Sequence, residues 1–185
     1  MQKEQDGLQK GSAETKVDHL LWKEGERKVG PLALETEQTF SFLKPESVMR
    51  GFIGEIVSRF EKKGLLLVGA KLIQMSQDQA EKLYGVHKGK PFFSELLSHV
   101  TSGPVFLMVW EGPNAVTVVR NLVGATNPLN AAAGTIRGDF ALQVTPNAIH
   151  GADSPENAKR EMSIFFSSNE ITKYSKPTER EFLLK

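Results

Sequence analysis

The sequence predicts an α+β sandwich: a four-stranded antiparallel sheet covered by helices in the ferredoxin-like arrangement. Three observations carry this prediction. Apolar runs alternate with segments of helical period in the order strand, helix, strand, helices, strand, helix, long loop, strand, helix. The two βαβ-like halves are of similar size, which suits four antiparallel strands bearing two main helices on one face. No Gly-x-Gly-x-x-Gly run follows the first strand, which weakens a small Rossmann domain as the alternative.

The first strand is read at Thr39–Leu43 and ends at Lys44-Pro45, because proline lacks the ladder donor and restrains its neighbour. Residues 50–62 form an amphipathic helix in which Ile53, Ile56, Val57 and Phe60 recur at helical spacing, and Gly64 closes it. A long strand over Leu65–Met75 follows. Ser76-Gln77-Asp78-Gln79 then starts a helix that runs to Leu83 or Tyr84. Pro91-Phe92-Phe93 opens a further helix carrying Leu96, Leu97 and Val100. Val105–Trp110 is the strongest buried-strand signal, stopped by Gly112-Pro113-Asn114 before a helix over Ala115–Val123. The Gly-, Ala-, Asn- and Pro-rich segment 124–138 reads as largely irregular. The last strand lies at Asn147–Gly151. The last helix, from Pro155 to Phe166, has Ser154 as its N-cap, Pro155 in its first turn and Glu156 as an early acid.

A chain of 185 residues holds one sizeable core. Its 23 basic and 22 acidic side chains give a net charge of +1, so no global basic surface points to nucleic acid or membrane. Absence of cysteine excludes thiolate catalysis and cysteine-held metals. No apolar run approaches the roughly 18 residues that a spanning helix needs, and the first residues lack the pattern of a leader, so the cytoplasm is the expected location. Residues 1–36 read as a polar, mobile extension, either with a short helix near Thr15–Lys23 that docks through Trp22 or as a tail with no role of its own. Residues 37–174 form the folded domain, and residues 175–185 a polar C-terminal tail.

His150 stands where the last strand gives way to a helix, a setting that holds a neutral, nucleophilic imidazole rigidly. Lys44, Arg120, Thr126 and Arg137 lie at or near element ends, and such a set of donors suits phosphoryl oxygens. After Pro91, Phe92 and Phe93 either both enter the core, the ordinary arrangement, or divide, one facing the core while the other stays free to stack on a planar ligand. His87 lies in a polar turn, whereas His99 reads as a helix-surface residue. No His or carboxylate pair has metal-ligand spacing, so any Mg²⁺ comes with a nucleotide's phosphates.

From Gln38 to Tyr174 the chain resembles the nucleoside diphosphate kinase family. The resemblance rests on Leu43-Lys44-Pro45, Gly51-Phe52-Ile53-Gly54-Glu55-Ile56, His87-Lys88-Gly89-Lys90-Pro91-Phe92-Phe93, Ser102-Gly103-Pro104-Val105 and Met108-Val109-Trp110-Glu111-Gly112. It continues through Gly124-Ala125-Thr126-Asn127-Pro128, Gly134-Thr135-Ile136-Arg137-Gly138-Asp139-Phe140 and Asn147-Ala148-Ile149-His150-Gly151. It implies ping-pong transfer of the terminal phosphoryl group from ATP or another nucleoside triphosphate to a nucleoside diphosphate, through a phosphohistidine at His150, with Mg²⁺ on the phosphates. By the same resemblance Glu161 holds the second ring nitrogen, Lys44 reaches ribose and phosphate, and Tyr84 lies beside the transferred group. Arg120, Thr126 and Arg137 hold phosphates, Asn147 contacts the ribose, and Phe92 lies under the base with Leu96 and Val144 lining the slot. It further implies a homo-oligomer, a hexamer with a tetramer as the alternative.

Three positions depart from the family's pattern: Ala152 stands where serine is usual, Glu46 where aspartate is usual, and Ala148 where a larger aliphatic is common. The first removes a hydroxyl near His150, the second lengthens a side chain near Lys44, and the third is expected to loosen packing behind His150. Two rival readings are a histidine-dependent phosphatase, marked by net hydrolysis, and a nucleotide-sensing scaffold without turnover.

Overall fold

The computed structural model describes residues 35–175. The extension over residues 1–36, with its helix near Thr15–Lys23 and its Trp22, and the tail over 175–185 lie almost wholly outside them, although Thr36 already belongs to the first strand. In chain order the elements are β1 (Thr36–Leu43), α1 (Pro45–Met49), α2 (Ile53–Lys62), β2 (Leu66–Gln74), α3 (Gln77–Tyr84), α4 (Phe93–Val100) and β3 (Pro104–Pro113). They continue with α5 (Ala115–Val123), α6 (Ile136–Phe140), β4 (Ile149–Gly151) and α7 (Pro155–Phe165), and 3₁₀ turns occupy Gly85–His87, Pro128–Asn130 and Ser168–Glu170. The four strands make one sheet in the order β2-β3-β1-β4, with every neighbouring pair antiparallel, as the ferredoxin-like arrangement requires.

The period-two pattern of the central strands divides the core. Along β3, Val105, Leu107 and Val109 face one cluster with Phe40 and Phe42 of β1. Phe106, Met108 and Trp110 face the other, together with Leu43. The second face takes Ile56 and Phe60 from α2 and Ala115, Val119 and Val123 from α5, the two main helices expected there. The first face is covered as well, by Ala80, Leu83 and Tyr84 of α3, Leu97 and Val100 of α4, and Phe165 of α7. Trp110 is fully buried and donates its indole N–H to Ser41 Oγ at 3.2 Å, so its one polar atom is satisfied inside the core.

Local chemistry explains the boundaries. Ser76 and Gln79 form a reciprocal capping box at the start of α3. Ser154 Oγ accepts the Asn157 N–H at 3.1 Å, and Pro155 opens α7. α2 starts at Ile53 rather than at residue 50, because Gly51 sits at φ +77° and interrupts the chain after α1. α1 itself goes beyond the sequence reading: Pro45 ends β1 and also supplies the preset φ of a helical first turn. Within the loop expected to be irregular, Thr135 caps α6 by accepting the Gly138 N–H. β4 begins only at Ile149, because Ala148 adopts φ +69° and cannot continue a strand.

Candidate active site

His150 lies on β4 opposite Phe42 of β1, with its ring stacked 5.2 Å from the Phe42 ring. That register turns it to the face covered by α3, α4 and α7. α7 presents Ala158, Glu161 and Phe165 as a buried stripe at helical spacing. Phe165 stacks on Phe40 at 5.4 Å and 6° between planes, which fixes the helix over β1. One turn back on the same face, Glu161 Oε2 meets His150 Nε2 at 2.7 Å. The Glu161 side chain is 6% exposed, and its other oxygen accepts from Arg160 Nη2 at 3.2 Å. An ionised carboxylate accepts only, so Nε2 carries the proton and Nδ1 keeps a lone pair. Nδ1 has no protein partner among the described residues.

Tyr84, the last residue of α3, sets its ring edge-on to His150 at 5.8 Å. Its buried hydroxyl has no hydrogen-bond partner among the described residues. Burial, reinforced by the nearby Glu161 carboxylate, pushes the phenol well above its ordinary range and keeps it a donor.

In the turn before β4, Lys44 Nζ donates to Asn147 Oδ1 at 2.6 Å, and Asn147 Nδ2 donates to the Thr126 carbonyl at 3.0 Å. Lys44 is buried. Desolvation lowers its pKa to about 8, with Glu46 opposing the shift and Arg137 adding to it. Arg137, on α6, is 5% exposed rather than a surface cation. Its guanidinium donates to the carbonyls of Asn147 at 3.3 Å, Gly124 at 3.1 Å and Ile149 at 2.9 Å, which pins the loop before β4. Burial, and secondarily Arg120, lowers its pKa to about 10, so it stays charged near neutrality. Arg120 of α5 donates to the Gly151 carbonyl at 3.4 Å.

These residues form one constellation around His150. Phe92 is joined to it through the ring sequence Tyr84–His87–Phe92, at 6.2 Å and 5.7 Å. Phe92 is 46% exposed while Phe93 packs against the core, so the pair divides and does not enter the core together. Leu96 is turned partly into that core, and Val144 is 51% exposed. Thr126 is exposed and enters the network through its carbonyl rather than its hydroxyl.

Two groups were invisible to sequence reasoning. Arg160 bridges Glu161 to the carbonyls of Lys82 and Leu83 at the end of α3, at 3.2 and 3.4 Å. Only its adjacency to Glu161 hints at this. His99, expected on a helix surface, is 17% exposed at its side chain and sits 2.8 Å from Glu46 Oε2. Of the departures, Ala152 packs against Val116 and Ala158 in a small apolar cluster. Ala148 is 1% exposed within the second core cluster, at a φ that a β-branched side chain resists.

Among the described residues, no group of three His, Asp or Glu side chains is placed to hold a metal, and no helix is long and apolar enough to cross a membrane.

Comparison with known proteins decides the family. The family model described as nucleoside diphosphate kinase matches residues 37–171. The chain belongs to the nucleoside diphosphate kinase family. A relative of that name from Halalkalibacterium halodurans is 57% identical over 144 residues, covering 78% of this chain and 98% of its own. Another from Brevibacillus brevis is 56% identical over 144 residues, with the same coverage. A solved structure of the nucleoside diphosphate kinase of Halobacterium salinarum, in complex with CDP, matches with a TM-score of 0.77 and 44% identity over 80% of this chain and 98% of that one. Family membership makes this chain a phosphotransferase that passes the terminal phosphoryl group of a nucleoside triphosphate to a diphosphate through a phosphohistidine. It also implies nucleotide substrates and an oligomeric assembly.

Proposed function

We propose that Nδ1 of His150 is the atom that carries the phosphoryl group. The observation behind this is the 2.7 Å bond from Nε2 to buried Glu161, which leaves the other nitrogen with its lone pair. In the first half-reaction that lone pair attacks the terminal phosphorus of a nucleoside triphosphate such as ATP. The bond from phosphorus to the bridging oxygen breaks, and the diphosphate leaves with the electron pair. The ring now bears positive charge, which the Glu161 carboxylate stabilises through Nε2–H. In the second half-reaction the terminal oxygen of a new diphosphate attacks the same phosphorus. The N–P bond breaks, and its electrons return to Nδ1.

The remaining groups position and neutralise. Lys44 has used one of its three donors on Asn147, and Arg137 three of its five on carbonyls, so both keep donors and full charge for phosphate oxygens. Arg120 and Thr126 complete the phosphate cradle, and the free Tyr84 hydroxyl donates to the group in transit. Asn147 retains one N–H and one lone pair for the ribose. Exposed Phe92 offers a stacking face to the base, with Leu96 and Val144 at its margins, and stacking of this kind tolerates any base. The CDP held by the Halobacterium salinarum relative is in keeping with such a slot. This donor set is cationic and fits phosphate oxygens, not a cation. Mg²⁺ therefore belongs to the nucleotide's phosphates, where it offsets their charge.

Intact mass after mixing with ATP and Mg²⁺ tests the reading: one added phosphoryl per chain, discharged by GDP and absent in His150→Ala. Labelling that persists in that variant would contradict it. We further propose a hexamer, with a tetramer as the alternative distinguished by light scattering, a catalytic domain over residues 37–174 and a cytoplasmic location.

A further inference from the structure

The Glu46–His99 pair is the group near the site that phosphoryl transfer leaves unused. Ala148 is a non-glycine residue at φ +69°, two positions before His150. Three residues at the start of α1 grip its polar groups. The Lys44 N–H and the Ser47 hydroxyl both donate to the Ala148 carbonyl, at 3.0 and 2.9 Å. The Ala148 N–H donates to Glu46 Oε1 at 2.8 Å. The second oxygen of that carboxylate, Oε2, is buried 2.8 Å from His99 Nε2 of α4, close enough for an ion pair though off the line of a hydrogen bond. Neither atom has a hydrogen-bond partner elsewhere among the described residues, and the two side chains are 16% and 17% exposed. Burial pushes the Glu46 carboxyl up, but His99 and the Ala148 N–H more than offset this and hold it below its ordinary value. The carboxylate therefore stays charged while it grips the turn.

We propose that Glu46 is a positioning residue for phosphoryl transfer: its carboxylate, aimed by His99, locks the Ala148 peptide in the left-handed conformation and so sets Asn147 and His150 on either side of it. The inference rests on the assignment of those two residues to the site. Side-chain length is what the geometry demands. Aspartate, one methylene shorter, gives up one of the two contacts, the Ala148 N–H or His99, unless the backbone moves. Glutamine keeps both, presenting its oxygen to Ala148 and its amide to His99. A left-handed non-glycine peptide is costly to hold, so loss of the lock relaxes the turn toward a more populated conformation.

The test uses the full chain with Glu46→Asp, Glu46→Ala and Glu46→Gln. The readouts are kcat and KM for GDP, intact mass with ATP, and deuterium uptake over residues 144–151. Glu46→Asp and Glu46→Ala are expected to raise KM, lower kcat/KM about tenfold and speed exchange in that segment, while still accepting phosphoryl on His150. Glu46→Gln stays within about threefold of the parent, because its oxygen still accepts from Ala148. The isosteric Gln and shortened Asp decide the matter even if the Ala variant folds poorly. Full activity in Glu46→Asp, or equal losses in Asp and Gln, overturns the proposal. Failure of the site assignment looks different: no phosphoryl on His150 even in the unmodified protein.

Discussion

Replacing Glu161 with glutamine changes one atom in shape and removes one charge from beneath His150. Two donors converge on this carboxylate: His150 Nε2 at 2.7 Å and Arg160 Nη2 at 3.2 Å. Glutamine has a single acceptor oxygen for the two of them. If the oxygen turns to Arg160, the amide N–H₂ faces Nε2 and favours the tautomer with the proton on Nδ1, which removes the attacking lone pair. If it turns to His150, the tautomer survives, but two donors clash at Arg160 and the charge that stabilises the phosphorylated ring is gone. Either way a buried, charge-assisted bond is lost, about 1.5–3 kcal/mol, or roughly 10- to 150-fold in the rate of phosphohistidine formation. Rapid-quench single-turnover kinetics with ATP measures that rate directly, and thermal melting checks that the fold survives. A Glu161→Gln rate within twofold of the parent, in a folded protein, would refute the idea that Glu161 sets the tautomer.

Phe92→Ala should weaken ADP, GDP and CDP to a similar extent, by about 1–3 kcal/mol, as calorimetry can show; loss confined to one base would place recognition elsewhere. Because the Lys44 pKa falls from 10.5 to about 8 through burial, the free protein loses this cation above about 8, and kcat/KM should decline along a limb there. Bound phosphate restores the charge, so kcat should hold to higher pH, and Lys44→Met should abolish the limb. The same shift has a defined sign in stability: the unfolded chain binds this proton up to 10.5 and the folded one only to about 8. Its destabilisation is therefore complete below 8, and stability recovers as pH rises between those values. Deleting residues 1–36 should leave turnover intact, since every residue with a proposed role lies beyond them; a loss of about tenfold, or a smaller mass by light scattering, would make that segment part of the working assembly.

Much of this architecture is legible because it is local. The Ser76 and Ser154 caps, the break at Gly64 and the apolar run 105–110 each signal structure within a few residues, and the helices and strands fall where they point. Other signals carry two meanings: Pro45 stops a strand and also opens α1. The ends of β1 and β3 came out longer than their apolar runs, because pairing Thr36 with Pro113 and Glu37 with Gly112 needs no hydrophobic side chain. The site divides in the same way. His150, Lys44, Arg137 and Asn147 belong to contiguous motifs, so family likeness points to them. Glu46 and His99, or Arg160 and the end of α3, meet only through folding, across separations that no local pattern encodes.

The central claim is that Glu161 reserves Nε2 and leaves Nδ1 to react. ³¹P and ¹⁵N NMR of the denatured, alkali-stabilised phosphoprotein, with imidazole-labelled histidine, identifies which ring nitrogen is bonded to phosphorus. The account predicts phosphorus on Nδ1 of His150 alone; phosphorus on Nε2, or on another residue, would contradict it.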